Sequence, residues 1–325
     1  MTQNKAVPVT IITGFLGAGK TTLLSEILKQ HSDLKFLIIE NEAGDINIDG
    51  QLIDKKENKL IELSNGCICC TLSTELGTVL NSVILSQTSY DYLLIEATGM
   101  AEPGQIIEMF SGLRIQRFFQ LDAVVCIVDA NNLLDRVDTY DEVTKQIAQS
   151  DLIVLNKTDK VSDEKRQKVE DKIVSINPLA QVCSAVFGQV KDAAILYRKT
   201  FRAAQIEASL FDFSQLHQLR PVRPSHQIQT VSLTIPGRFD MEKVALWLDD
   251  FLFQKGDAIL RIKALLCVDG IKHKMLLQSV GNSYHLTQGS LWEAEEVFES
   301  QLVFIGSDLD KEEIENALSA RLIPA

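Results

Sequence analysis

No apolar run in this chain approaches the ~18 residues that a membrane-spanning helix requires. Basic residues are outnumbered, with 32 Lys and Arg against 44 Asp and Glu and a formal net charge of -12. A non-specific nucleic-acid binder would need a basic face, so that class is excluded. The N-terminal stretch MTQNKAVPVTIITGFLGAGK has no small-residue cleavage site after its short apolar run. The run is read as a first strand rather than a signal peptide, and a cytoplasmic protein is expected. There is no internal repeat, no low-complexity segment and no histidine-rich tract. Cysteine is scarce too, six residues in 325, and three of the six fall within Cys67–Cys70. In a reducing compartment such a cluster points to metal or redox chemistry rather than to a disulfide framework.

What remains is the composition of a globular protein, 46% hydrophobic and 23% charged. A chain of 325 residues exceeds what one compact core usually needs, so two domains are expected. The first ~200 residues alternate short Val/Ile/Leu runs with helical patterns. VPVTIIT, KFLIIEN, KLIELSN, YDYLLIEAT, LDAVVCIVDA, DLIVLNK and AQVCSA read as strands, several apolar enough to be buried on both faces of a parallel sheet. Helices are expected at Lys20–Gln30 and Ser162–Ile176. The fold class is α/β, a doubly wound, mostly parallel sheet over 1–203. A linker at 204–227 holds QLHQLRPVRPSHQ, and a small α+β domain follows at 228–325. In that domain Asp240 is expected to cap the helix FDMEKVALWLDDFLF, with Val244, Trp247, Leu248 and Phe251 facing the core. AILRIKALLCVDG and KMLLQSVGNSYHL read as one strand pair, and His273 and His285 as structural residues.

Three motifs carry chemistry. GFLGAGKTT, Gly14 to Thr22, fits G-x-x-x-x-G-K-[ST] between a strand and a helix. Gly14, Gly17, Ala18 and Gly19 let backbone N–H groups curl around phosphate oxygens, with Thr22 at the helix start. Lys20 reaches the β- and γ-phosphates, and Thr21 offers its hydroxyl to Mg²⁺. NKTD, Asn156 to Asp159, ends a strand on the ligand side of the sheet. Asn156, Lys157 and Asp159 are read as the guanine site, because the Asp159 carboxylate pairs with N1–H and the exocyclic amine, which adenine cannot match. Cys183–Ala185, at the next strand end, is expected to close over the base. In LLIEATGMAEP a strand delivers Glu96 near the Mg²⁺, and Gly99 is placed to sense the γ-phosphate. No arginine finger or glutamine stands directly after Gly99, so slow intrinsic turnover is expected. A small-molecule kinase is disfavoured by NKTD and the lack of a lid.

The cluster NGCICC offers soft thiolates suited to Zn²⁺. In an extended segment Cys67 and Cys69 share a side and Cys70 points away, so one site using all three needs a bend after Ile68. No histidine lies between His31 and His217, so further ligands are sought among Glu40, Glu42 and Asp45, with Glu40 first. A structural zinc would want four protein ligands, and a redox pair would read C-x-x-C, which Cys67 and Cys70 match with Cys69 inserted.

GFLGAGKTTLL, ENEAGDINIDGQLI…LSNGCICC and IEATGMAEPGQI together resemble the CobW/YjiA-type GTPases of the P-loop class, with NKTD and the C-terminal domain in matching order. The departures are Ala43, where relatives commonly carry Phe, and Ala264, where they commonly carry Gly. The resemblance implies a GTP-dependent metallochaperone that uses GTP/GDP and Mg²⁺. It would bind Zn²⁺, or Co²⁺ or another transition metal, and hand it to a client metalloprotein. It also leaves room for a cobalt or iron insertase, or for a GTP-bound metal sensor whose hydrolysis is a timer. The partners expected are the client, with no nucleic acid and no membrane, and the chain itself a monomer or weak homo-oligomer.

Overall fold

A computed structural model of the chain describes residues 6–40, 58–63, 70–86, 88–110, 112–190, 194–202, 204–208, 210, 228–281, 283–293 and 295–324. It divides into two compact units. One comprises Met1–Lys172 with Ala180–Lys199, the other Ile173–Leu179 with Thr200–Ala325. Among the described residues no helix is long and apolar enough to cross a membrane.

The first unit is built on an eight-stranded sheet. Its strands are β1 (Val7–Thr13), β2 (Phe36–Glu40), β3 (Lys59–Glu62), β4 (Tyr92–Glu96), β5 (Phe119–Asp129), β6 (Leu152–Asn156), β7 (Gln181–Val186) and β8 (Gln189–Val190). The order is β3-β2-β4-β1-β5-β6-β7-β8. Every neighbouring pair is parallel except β7 and β8, which form a hairpin. The mostly parallel α/β sheet expected from the apolar runs is therefore present, and each of those runs is a strand. β2, β4 and β6 are buried at every position. A parallel strand covered by helices on both faces gains from apolar side chains all round, and FLIIE, YLLIE and LIVLN supply them.

Each of these three strands ends in a single polar residue: Glu40, Glu96 and Asn156. The strands are parallel, so those ends gather on one edge of the sheet, the edge where open α/β folds bind ligands. Register makes the gathering tight. Glu40 pairs with Glu96 on one side and Glu62 on the other, and Asp129 pairs with Asn156.

The helix Lys20–Gln30 begins directly after Gly19 and buries Leu23, Leu24, Ile27 and Leu28 against the sheet. It has no acidic residue in its first turn and no side-chain cap on its N-terminal amides. Those amides and the positive end of the helix dipole are left for an anion. The helix Asp163–Ile176 starts one residue after the expected Ser162, whose Oγ accepts from Lys165 N.

The second unit holds a five-stranded antiparallel sheet in the order β12-β11-β10-β13-β9. These are β9 (Ile228–Pro236), β10 (Ile259–Leu266), β11 (His273–Val280), β12 (Ser283–Leu291) and β13 (Glu299–Ser307). The stretch KMLLQSVGNSYHL, read from sequence as one strand, is two strands folded back on each other at Gly281, whose φ is 58°. Glycine takes that left-handed conformation without a Cβ clash, and the chain reverses there. Asp240 caps the helix Met241–Lys255, accepting from the amides of Glu242 and Lys243. Val244, Trp247 and Leu248 are buried in the core of this unit, Ala264 lies in it as well, and Phe251 packs against its edge. His273 Nδ1 lies 3.1 Å from Gly289 O, a contact within the sheet. Residues 204–208 are helical with Ile206 buried, so ordered chain extends into the span expected as a linker; 211–227 lie outside the described residues.

Candidate functional site

The carboxyl edge of the first sheet carries a cleft of about 460 Å³ lined by Gly17, Gly19, Lys20, Thr21, Thr22, Glu96, Asn156, Lys157 and Asp159, together with Leu16, Lys160 and Phe187. The structure thus brings the Gly14–Thr22 loop, Glu96 and the NKTD segment into one place.

Backbone strain explains why the loop must be glycine. Gly14 has φ 140°, and a Cβ there would lie 2.2 Å from Ile127 O. Gly19 has φ 110°, and a Cβ there would meet Asn156 Nδ2 at 2.6 Å. At these two positions the loop is pressed against β5 and β6 so closely that no side chain fits. Lys20 is 6% exposed and its Nζ donates to Gly14 O at 3.1 Å, which folds the amine back over the loop.

Asn156 is buried and both ends of its amide are engaged. Nδ2 donates to Ala18 O at 3.0 Å, and Oδ1 accepts from Gly188 N at 3.2 Å. The residue braces the phosphate loop against the β7–β8 hairpin. Lys157 takes the left-handed conformation, φ 59°, and its Nζ donates to Gly17 O at 2.7 Å and pairs with Asp129 Oδ2 at 2.8 Å. Burial pushes the Asp129 carboxyl up. The hydrogen bonds from Lys157, Asn132 and Asn131 outweigh that and hold it below the usual carboxylate range. Asp159 lines the cleft on the exposed side of this brace.

On the other side of the loop Thr21 Oγ1 donates to Glu96 Oε1 at 3.1 Å. Gly99 packs on the loop itself, where a Cβ would lie 2.8 Å from Leu16 N and 2.5 Å from Leu16 Cδ2. Gln146, almost wholly buried, donates to the carbonyls of Gly99 and Ala101 at 3.1 Å each and holds this segment in place.

Glu40 sits next to Glu96 across the β2–β4 pair and is wholly buried. Neither of its oxygens has a hydrogen-bond partner among the described residues. Burial, then repulsion from Glu96, then from Glu62, push its carboxyl up to about 7. Cys67 and Cys69 lie outside the described residues, as do Glu42, Ala43 and Asp45, while Cys70 is the first residue of the helix Cys70–Ser86. Among the described residues no group of three His, Cys, Asp or Glu is arranged to hold a metal ion. The other three cysteines, Cys126, Cys183 and Cys267, are buried. Burial lifts the Cys126 thiol to about 12, so it stays neutral and packs as a core residue.

Cys183–Ala185, expected to close over the base, does not line the cleft. Cys183 is part of the core cluster, and Ala185 O accepts from Thr158 Oγ1 at 3.1 Å. The residue that reaches the cleft is Phe187, at the hairpin tip. Sequence reasoning also missed Asp129, Glu62 and Gln146. The end of the run LDAVVCIVDA was a usable signal for Asp129, but Glu62 and Gln146 join the site only through strand order and helix packing.

Residues 8–184 match the family model for the CobW/HypB/UreG nucleotide-binding domain, and residues 228–322 match the cobalamin synthesis protein CobW C-terminal domain. The chain is 32% identical over 320 residues to zinc chaperone YjiA of Escherichia coli, covering 96% of this chain and 98% of that one. It is 29% identical to zinc chaperone CobW of Pseudomonas aeruginosa, over 97% of this chain and 92% of that one. The crystal structure of Zn(II)-bound YjiA GTPase from E. coli superposes with a TM-score of 0.74 at 26% identity, covering 98% of this chain and all of that one. The phosphate loop, the NKTD brace and both matched domains make this chain a member of the CobW family of P-loop nucleotide-binding proteins.

Proposed function

We propose that this chain is a GTP-hydrolysing metallochaperone that binds zinc at Cys67, Cys69 and Cys70 with Glu40 and passes it to a client metalloprotein. The GTPase activity belongs to the family, and the cleft has the parts it requires. Gly14, Gly17, Ala18 and Gly19 present backbone amides to the phosphates, Lys20 supplies the positive charge, and Thr22 adds the helix start. Asp159 reads the guanine edge, with Asn156 and Lys157 fixing its loop. Thr21 and Glu96 form a pair of hard oxygen donors that fits Mg²⁺, which prefers oxygen ligands, and these two residues would hold it. When bound, the ion neutralises charge on the β- and γ-phosphates. Gly99 lies against the phosphate loop and its N–H is the candidate γ-phosphate sensor. Residues 97–103 offer no glutamine or arginine to position the attacking water, so turnover is slow until a partner adds to it.

The observation that carries the metal reading is Glu40. A wholly buried carboxylate with no hydrogen-bond donor among the described residues is costly to keep ionised, and a cation relieves that cost. Zinc is the first choice because the named relatives are zinc chaperones and thiolates with one carboxylate suit it. Glu96 is the neighbour shared by the two sites. It accepts from Thr21 on the nucleotide side and repels Glu40 on the other. A change of nucleotide alters the first contact, and the proton and metal affinity of Glu40 follow. The C-terminal domain at 228–325 is assigned to client selection, and the protein to the cytoplasm.

The test is a zinc competition titration of the reduced protein with Mg²⁺ and either GDP or a non-hydrolysable GTP analogue. Zinc affinity should differ about tenfold between nucleotides, a coupling of about 1.4 kcal/mol. The difference should vanish when Cys67, Cys69 and Cys70 are all replaced by Ala. Equal affinity with both nucleotides would show that the cycle does not gate metal, and delivery would have to be abandoned.

A further inference from the structure

Strand β7 ends at Val186 and β8 starts at Gln189, so Phe187 and Gly188 form a two-residue hairpin loop. Both have positive φ, 51° and 73°. A two-residue turn of this kind matches the twist of the flanking strands, and the residues that fit it are Asn, Asp and Gly. Gly188 meets that demand, but Phe187 does not. A bulky aromatic residue in the left-handed region is a backbone outlier, and such strain persists where surrounding structure enforces it.

The surroundings do enforce it. Gly188 N donates to Asn156 Oδ1, which ties the turn to the NKTD segment. A Cβ on Gly188 would lie 3.0 Å from Leu23 N and 3.1 Å from Thr22 C, so the turn rests on the first turn of the phosphate-loop helix. Gln189 Nε2 donates to Glu26 Oε2 on the same helix at 3.2 Å. The hairpin is thereby clamped between the two motifs that define the nucleotide cleft.

The phenyl ring gains little burial from the fold. It is 70% exposed and lines the cleft beside Asp159 and Lys160. A strained, largely exposed turn residue on the lining of a cleft that already has a carboxylate for the base edge supplies what that cleft still needs: a flat face for the ligand. We propose that Phe187 stacks on the purine ring of the nucleotide, setting affinity while Asp159 sets base choice. This rests on the guanine-nucleotide reading and deepens it. An aromatic face attracts any base through its π surface, so the contribution is independent of the hydrogen-bonding edge.

The experiment is calorimetric titration of the full-length protein with Mg²⁺ and GDP or IDP. Phe187→Ala and Phe187→Leu should each weaken both nucleotides by the same factor, about tenfold, as loss of one base–aromatic stack does. Phe187→Trp should hold GDP within about threefold of the parent and show fluorescence quenching on GDP addition. Phe187→Gly relieves the turn, so it should raise the melting temperature while still losing the nucleotide affinity. A merely structural role would not separate those two readouts. Asp159→Asn is the control on the underlying reading, since it should shift preference from GDP to XDP. If the parent fails to bind GDP, or Asp159→Asn leaves base preference unchanged, the guanine reading itself is wrong. If both hold while Phe187→Ala or Phe187→Leu binds GDP as the parent does, stacking is overturned and the guanine reading stands.

Discussion

Lys20→Ala is expected to lower kcat/KM for GTP hydrolysis by about a thousandfold, the largest kinetic effect of any single substitution outside the glycine loop. The transferred phosphoryl group develops charge on its equatorial oxygens, and catalysis consists of placing fixed positive charge against it. In this cleft Lys20 is the side chain held for that task, at the base of the loop with its amine tethered to Gly14 O. It is nearly buried, so its charge is screened less than that of an exposed lysine such as Lys29. Truncation leaves the backbone amides in place, so weak phosphate binding survives and the loss falls on the chemical step. Lys20→Arg should not rescue it, because the planar fork is wider than the point charge the loop encloses. Single-turnover phosphate release together with a melting curve checks this. A variant folded like the parent and hydrolysing GTP within threefold of it would remove Lys20 from the mechanism.

The phosphate loop was legible because its constraint is local. Gly14 and Gly19 are fixed by a turn and by the strand beside it, and the spacing to Lys20 follows within six residues. The parallel sheet was legible for a related reason: a strand buried on both faces cannot hide its Val, Ile and Leu content. NKTD ended its strand as expected, and its position opposite the loop followed from parallel order. Gly281 was the clue to the missed hairpin, since a left-handed glycine inside an apolar run marks a reversal as readily as a bulge. What the sequence could not disclose depends on strand order. Glu62, Glu40 and Glu96 lie far apart along the chain and become neighbours only because β2 sits between β3 and β4. Phe187 was hidden differently. Its backbone conformation contradicts its residue type, and no propensity argument reaches a position where function overrides local preference.

Glu40→Gln is expected to produce two large effects of opposite kind. The first, which tests the proposed ligand role, is a loss of zinc affinity of at least about a hundredfold at pH 7.5, as removal of a ligand exceeds the 10- to 100-fold typical of outer-shell changes. The second is a gain in stability of the metal-free protein at alkaline pH. Burial first, then Glu96 and Glu62, raise the folded-state value of Glu40 from 4.5 to about 7. The folded protein therefore holds a proton there that the unfolded chain has lost between those values. The stabilisation is complete below pH 4.5 and disappears as pH rises through about 7. A glutamine has no proton to lose, so above pH 7 the variant should exceed the parent by up to about 3 kcal/mol. Melting temperatures of the metal-free proteins should diverge between pH 5 and about 7, with the parent falling more steeply, and the gap should then hold constant to pH 8.5. The same proton competes with zinc. Lowering pH below about 7 should weaken zinc binding more steeply in the parent than in the variant, because only the parent must discharge Glu40. The two readouts fail independently. Parallel melting curves would mean that Glu40 ionises freely in the folded chain despite its burial. Unchanged zinc affinity in the variant would mean that the buried carboxylate serves the sheet edge and the nucleotide, and that the thiolates bind their metal without it.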